Sequence, residues 1–361
     1  MFLKSAKEVK QERKEAVEAT RGDELTRDFL HMLDTWHSVP EPYDAKLEAY
    51  ILRCKSDILL SPVGQKEDDG QYFTPSSANS CPRELYHRLR GDRRDDFPIP
   101  PHQGRWQRMG TAYGDTVQRD LLYIHKHYAR KTGKKPSFIP LYRELELNGE
   151  VKKVPFWEEF AQKTMTVKHN GFDINIQGKP DGILKYKDGT VVGLEVKSKQ
   201  TSYNRTSEYS MREPEESHKR QVVAYSILYG VEEFIILYGN LAKKAWNMSE
   251  EEYSRYPDLR AFYVRVTEED KKKMLDYFAS IIKAVKDNKP PKIDPDKWTF
   301  NNYKTACIMS MSKEEIEKIK DEFMKLVNST RKLDKVPRDL QNRINNLADI
   351  ISMFNNLRED A

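Results

Sequence analysis

The stretch "GKPDGILKYKDGTVVGLEVKSK", Gly178–Lys199, carries an aspartate at the mouth of a hairpin and Glu-Val-Lys on its return strand. Two registers are available. A two-residue loop, Asp188-Gly189, would pair Lys187 with Thr190 and send Asp181 and Glu195 to opposite faces, because side chains alternate along a strand. A three-residue loop, Lys187-Asp188-Gly189, puts Gly189 at the left-handed position such loops need, pairs Tyr186 with Thr190 and sets Asp181 across from Glu195. The second register makes both faces coherent. Leu184, Tyr186, Val192, Leu194 and Val196 suit a core, and Asp181, Glu195 and Lys197 share the other side. Directly opposed carboxylates repel by ~0.2–1 kcal/mol even at a surface, so a cation should compensate them. Two carboxylates ~5 Å apart at their β-carbons, with a lysine two residues on, can hold a hard divalent metal and a nucleophilic water.

The elements that must position this hairpin are legible from periodicity. Residues 2–20, Glu24–Trp36 and Tyr43–Leu60 read as helices, followed by the loop "SPVGQKEDDGQYFTPSS". Ser76 or Ser77 caps a short helix through Leu89, and a charged, proline-rich loop leads into "WQRMGTAYGDTVQRDLLYIHKHYARKTG". That segment is helical, with Val117, Leu121, Leu122 and Ile124 on a buried side. "LYRELELNG", "FDINIQG", "GILKYK" and "TVVGLEVK" alternate as strands. A helix from about Pro214 through "HKRQVVAYSILYG" separates them from two further strands, "EFIILYG" and "AFYVRVT". An amphipathic helix, "EEDKKKMLDYFASIIKAVKD", and two tail helices broken at Val336-Pro337 complete the chain. The fold class is α/β or α+β, with a central mixed β-sheet flanked by helices. The expected divisions are a helical region over 1–70, a core over 71–310 and a helical hairpin over 311–361.

The 361 residues are 38% hydrophobic and 33% charged, a globular balance that excludes a disordered chain. Net charge is only +5, but between Cys81 and Lys135 there are 13 Lys and Arg against 6 Asp and Glu. That cluster reads either as a surface for a polyanion or as a solvated charged face. Cys54, Cys81 and Cys307 are far apart and odd in number, which argues against a disulfide framework. With no apolar run of ~18 residues and no apolar centre in "MFLKSAKEVKQERKEA", neither a membrane span nor a signal peptide is expected. A cytoplasmic setting fits, the host's cytoplasm if the chain is phage-encoded. His125-x-His127 points two ways on a helix and is expected at the surface.

Pro180-Asp181 with Glu195-Val196-Lys197 resembles the signature of the PD-(D/E)XK nuclease superfamily, and Gln221 with Tyr225 in "QVVAY" resembles the Gln-x-x-x-Tyr of its RecB/AddB and CRISPR-adaptation branch. "TPSSANSCPRELYHRLRG" and "MGTAYGDTVQ" resemble two upstream segments of that branch, and "YRELEL" its first strand, with Glu144 at an acidic position. The resemblance covers about residues 72–310. It implies a restriction-endonuclease-like core and a deoxyribonuclease dependent on Mg²⁺ or Mn²⁺. In that role Asp181, Glu195 and the Val196 carbonyl hold the metal, Lys197 orients water and stabilises charge, and Gln221 and Tyr225 reach the site or the DNA. It further implies an exonuclease of RecB-like type in recombination, repair or phage DNA metabolism. DNA ends are the expected partner, contacted by Arg83, Arg88, Arg105, Arg108, Lys219 and Arg220. No Walker-type phosphate loop occurs, so a helicase or recombination partner, or a homo-oligomer, is the expected company.

Two departures from the branch carry consequences. Its helix histidine falls on Gly114, with Asp115 beside it either as a third oxygen ligand or as a surface aspartate. Its four iron–sulfur cysteines reduce to Cys81 and Cys307, with Trp298 and Asn301 between, so no cluster is expected and Trp298 is expected to fill its space. The competing readings are a non-catalytic nucleic-acid-binding or assembly protein on the same fold, and an RNA-processing nuclease.

Overall fold

Strands Val191–Lys199 and Glu233–Asn240 are near-continuous apolar runs, as befits parallel neighbours buried on both faces. The computed structural model describes residues 6–61, 72–331 and 333–358, with side chains described from residue 20 in the first helix. Part of the expected loop after Leu60, residues 62–71, and positions 2–5 of the first expected helix lie outside the described residues. In chain order the helices are α1 (Ala6–His37), α2 (Ala45–Leu60), α3 (Pro82–Leu89), α4 (Pro101–Thr132), α5 (Glu158–Ala161), α6 (Glu216–Tyr229), α7 (Glu250–Arg255), α8 (Glu268–Lys286), α9 (Lys304–Met309), α10 (Lys313–Thr330) and α11 (Arg338–Arg358). The strands are β1 (Phe138–Pro140), β2 (Tyr142–Leu147), β3 (Glu150–Pro155), β4 (Lys163–His169), β5 (Phe172–Gly178), β6 (Gly182–Tyr186), β7 (Val191–Lys199), β8 (Glu233–Asn240) and β9 (Leu259–Arg265). No helix among the described residues is long and apolar enough to cross a membrane.

The chain divides into two compact units, the first comprising Met1–Glu67, Ile99–Thr164 and Gly178–Lys271. Its heart is a mixed sheet in the order β1-β6-β7-β8-β9, antiparallel except where β7 and β8 run parallel. A parallel pair needs a crossover of a dozen or more residues, and α6 supplies it. One face of the sheet, with Leu184, Tyr186, Val192, Leu194, Val196, Ile235 and Leu237, joins a core shared with α1 and α4. On α1 the stripe Leu25, Phe29, Met32, Leu33 and Trp36 recurs at helical spacing and is buried throughout. Val117, Leu121, Leu122 and Ile124 of α4 are buried, as their periodicity predicts. On the opposite face, Gly193 has no alternative: a Cβ there would come within 2.2 Å of the Phe234 ring.

Several sequence expectations are corrected. The two helices expected within residues 2–36 are one, α1. The strand "YRELEL" is not in the central sheet but pairs with β3 in a separate hairpin, and β5 likewise pairs with β4 outside that sheet, with an isolated parallel bridge from Ile176 to Phe73. Both hairpins turn on Asn-Gly with positive φ at each residue, at Asn148-Gly149 and Asn170-Gly171, a geometry that matches strand twist. One edge strand of the sheet is β1, only three residues long and ending in proline, too short to show alternation. His127 is not at the surface: it is 8% exposed and its Nε2 lies 2.7 Å from Asp44 Oδ2.

The second unit comprises Asp68–Pro98, Met165–Gln177 and Lys272–Ala361. Cys81, Trp298 and Cys307 are wholly buried in one cluster with Ile308, Ile316, Leu347 and Ile350. Asn301 donates to the Cys307 sulfur at 3.5 Å, the backbone N–H of Asp294 donates to the Cys81 sulfur at 3.3 Å, and the Trp298 indole donates to Asp349 at 2.7 Å. Cys81, Trp298 and Cys307 thus share one packed apolar cluster, and Asn301 reaches it through the Cys307 sulfur. The tail helices α10 and α11 break where expected, α11 beginning immediately after Pro337.

Candidate active site

The loop that joins β6 to β7 sets the site. Gly189 has φ +96°, its N–H donates to Tyr186 O at 2.9 Å, and Tyr186 N donates to Thr190 O at 2.9 Å. The three-residue loop is therefore the one formed. The register runs Gly182 opposite Leu194 and Leu184 opposite Val192. Continued by one residue, it sets Asp181, just before β6, across from Glu195.

The two carboxylates are held differently. Asp181 is half-buried; its Oδ2 accepts from Val196 N at 2.7 Å, and its backbone carbonyl accepts from Gln118 Nε2 at 2.8 Å. Glu195 is 1% exposed, and neither of its oxygens accepts a well-aligned hydrogen bond among the described residues. Among the described residues its ion-pair partner is the Lys197 ammonium, which approaches Oε1 without the angle of a hydrogen bond. Burial raises the pKa of Glu195 against the opposing pull of Lys197. Burial and then the charge of Glu195 raise that of Asp181. For Lys197, burial pulls the pKa down, but Glu195 and Asp181 outweigh it and keep the ammonium charged.

Helix α6 covers this face with residues four apart. Gln221 Oε1 accepts from Lys197 Nζ at 3.1 Å, Tyr225 donates to Lys179 O at 2.9 Å, and the Tyr229 hydroxyl lies 2.7 Å from both Ala161 O and Gly178 O. The stripe fixes the lysine on one side and the segment leading into Asp181 on the other. Burial, then Glu195 and Asp181, push the Tyr225 phenol well above its ordinary range, so it stays neutral and donates. One turn earlier on α6, His218 Nδ1 lies 2.7 Å from the hydroxyl of Tyr238 on β8, which accepts from Glu215 N at 2.9 Å and so directs its proton to the imidazole. Burial and the neighbouring Lys197 and Lys199 depress His218, which is neutral at pH 7.

Two further groups escape sequence reading. Glu158 adopts φ +46°, a left-handed conformation uncommon outside glycine, and its N–H donates to Pro180 O at 3.0 Å. Its carboxylate pairs with Lys179 at 3.2 Å, and its charge is felt by both Asp181 and Glu195. Gln118 is the other, buried one helical turn from the position the resemblance marks. Tyr229 had a signal, since it continues the four-residue spacing from Tyr225.

The remaining expected residues are dispersed. Asp115 is exposed and paired with Lys55 at 3.2 Å, although it lines the same cavity of about 270 Å³ as Gln118, Glu158 and Glu159. Glu144 is exposed on β2 opposite Lys153. Lys219 pairs with Glu216 at 3.0 Å and Glu213 at 3.3 Å, and Arg220 is half-buried on α6. Arg88 lies over the Tyr72 ring, while Arg105 and Arg108 are exposed. Arg83 is corrected outright: it is 3% exposed, donates to Pro291 O at 2.6 Å and pairs with Glu315 at 2.8 Å. Arg83→Ala should therefore cost about 3–5 kcal/mol of stability by leaving a partner unpaired. The salt dependence of DNA binding should be unchanged, and a shallower salt slope with normal stability would return Arg83 to the binding surface.

Among the described residues no three His, Cys, Asp or Glu side chains close into a ready metal cage. The donor set nonetheless fits a hard divalent cation. Two anionic oxygens of Glu195 lack hydrogen-bond partners, Asp181 stands opposite, Glu158 is within electrostatic reach, and Mg²⁺ ordinarily keeps several waters as ligands.

No family model matches the chain, and no curated protein matches it. Among solved structures, SSO0001 is similar at 12% identity and a TM-score of 0.38, over 75% of this chain and 100% of its own. LHK-Exo, an alkaline exonuclease from Laribacter hongkongensis, is similar at 10% identity and a TM-score of 0.34, over 61% of this chain and 90% of its own. The same protein in complex with dAMP gives the same values. Likeness so distant says nothing about activity.

Proposed function

We propose that this protein is a metal-dependent nuclease that hydrolyses phosphodiester bonds in DNA. The observation that carries the reading is Glu195: a fully buried carboxylate whose close contact among the described residues is the Lys197 ammonium, directly across a hairpin from a second acid. Two opposed buried carboxylates sharing one ammonium leave negative charge that is costly to bury, and a bound cation would offset it.

Asp181, Glu195 and the Val196 carbonyl would hold Mg²⁺ or Mn²⁺, with Glu158 as the further acid and Asp115 reaching the site only if it leaves Lys55. A cation so held supplies Lewis acidity toward a phosphate oxygen and an attacking water. Lys197 presents fixed positive charge where negative charge develops on phosphorus, and orients the water. Gln221 fixes the Lys197 side chain, so the ammonium need not be ordered during reaction. Gln118 and Tyr225 fix the backbone on either side of Pro180, which holds the Asp181 carboxylate in place.

The finer reading, an exonuclease of RecB-like type acting in the cytoplasm on DNA ends with a helicase or recombination partner, rests on the sequence resemblance alone. Product mapping on end-labelled linear, nicked and circular DNA with added Mg²⁺ tests both levels. Mono- or oligonucleotides released from linear substrate, with circles spared, are expected; cut circles would replace exonuclease by endonuclease. No cleavage of any form with either metal would overturn the hydrolytic reading.

A further inference from the structure

We propose that the amino-terminal half of α4 is a binding arm for single-stranded nucleic acid, with Trp106 as the platform on which an unpaired base stacks. The proposal rests on the hydrolytic reading for the strand's role as substrate, while the arm's capacity to bind stands apart from it.

From Val117 onward, α4 buries one side; before it, Arg105, Trp106, Gln107, Arg108 and Met109 are all exposed. Trp106 is 43% and Met109 51% exposed, a large apolar surface left in water three residues apart on one helical face. Arg105 lies about 100° round the helix from Trp106, and no carboxylate among the described residues pairs with it or with Arg108. Arg21, Arg119 and Arg343, by contrast, are each tied to carboxylates. Arg108 folds back over the helix, since a Cβ on Gly104 would lie 3.2 Å from its Nη1. An exposed indole on a helix that also carries two guanidinium groups without carboxylate partners among the described residues matches a strand with anionic backbone and open π-faces.

The arm is anchored to the site. Gln200 Nε2 donates to the Trp106 carbonyl at 3.0 Å and to Ser198 Oγ at 3.1 Å. Gly110, one turn beyond Trp106, lies against the same Ser198 Oγ, 3.3 Å from where a Cβ would be. Ser198 directly follows Lys197 on β7, so the Trp106 backbone is tied to the end of the strand that carries Glu195 and Lys197. A duplex is the poorer occupant, because its bases are already stacked and offer the indole nothing.

The test uses the full chain in EDTA, where turnover cannot interfere, with fluorescein-labelled thymidine oligonucleotides. Trp106→Ala should weaken binding by about fivefold to 150-fold, and Trp106→Phe should keep affinity within about threefold. An abasic oligonucleotide should bind wild type and Trp106→Ala alike. Arg105→Ala with Arg108→Ala should flatten the dependence of log Kd on log salt by about 0.7 per residue. The same indole dependence on matched RNA would support the stacking chemistry and widen the ligand to both nucleic acids. Equal binding by Trp106→Ala and wild type, an equal loss on the abasic strand, or a preference for duplex would overturn the proposal. Loss of the Mn²⁺-induced rise in melting temperature in Trp106→Ala would overturn it too, by tracing the defect to the metal site. Indole-dependent binding by a wild type that cleaves nothing would support the arm and defeat the hydrolytic reading.

Discussion

Glu195→Gln is expected to abolish the response to metal and the cleavage of DNA together. The amide keeps the shape of the carboxyl but not its charge, and Glu195 contributes two buried oxygens whose close contact among the described residues is the Lys197 ammonium. In wild type, Mn²⁺ at ~100 times its dissociation constant should stabilise the fold by about 2.7 kcal/mol. In Glu195→Gln that increment should vanish, and kcat should fall by at least about 10²–10³-fold, the scale on which removal of one stabilising group is felt. Thermal melts with and without Mn²⁺, alongside single-turnover cleavage, read both quantities on one preparation. Undiminished metal stabilisation would remove Glu195 from the cation site, whatever the rate.

Metal affinity should climb with pH well above the range where an ordinary carboxylate titrates. Burial raises the pKa of both Asp181 and Glu195 in the metal-free protein. Below the ordinary carboxylate range both are protonated whether the chain is folded or not. As pH rises past ~4 the unfolded chain ionises first, so the metal-free fold loses stability until the raised native values are passed. Binding runs the opposite way, because a cation requires the ionised forms and displaces their protons. While one proton is displaced per cation, affinity should rise about tenfold per pH unit. Calorimetric titration with Mn²⁺ in buffers of different ionisation enthalpy counts the protons released. A count of zero near neutrality, with flat affinity, would mean that the acids are already ionised and their burial exerts no such pull.

How much of this could be read from the chain depends on how local the cause is. The pairing of Asp181 with Glu195 was legible because one glycine, Gly189, selects the loop and strand alternation carries the register inward from there. Gln221 and Tyr225 were legible for a similar reason, fixed helical spacing on the next element. Glu158 was not, because nothing in "FWEEF" announces a left-handed backbone; Pro180 draws it in from outside its own segment. Arg83 misled for the converse reason. Its charge suggests solvent, but its guanidinium is satisfied by Pro291 and Glu315, both more than two hundred positions away. Short β1 was hidden because three residues cannot display a period.

The sulfur atoms have a practical consequence. All three are free and buried, Cys54 at 1% exposure and Cys81 and Cys307 at 0%, and burial lifts each thiol above its ordinary range. Reagents that attack thiolates therefore meet an inert native chain and a reactive opened one. Cys54 lies in the first unit and the other two in the second. Alkylation followed by mass spectrometry thus gives a separate clock for the breathing of each, with no label added and no residue changed.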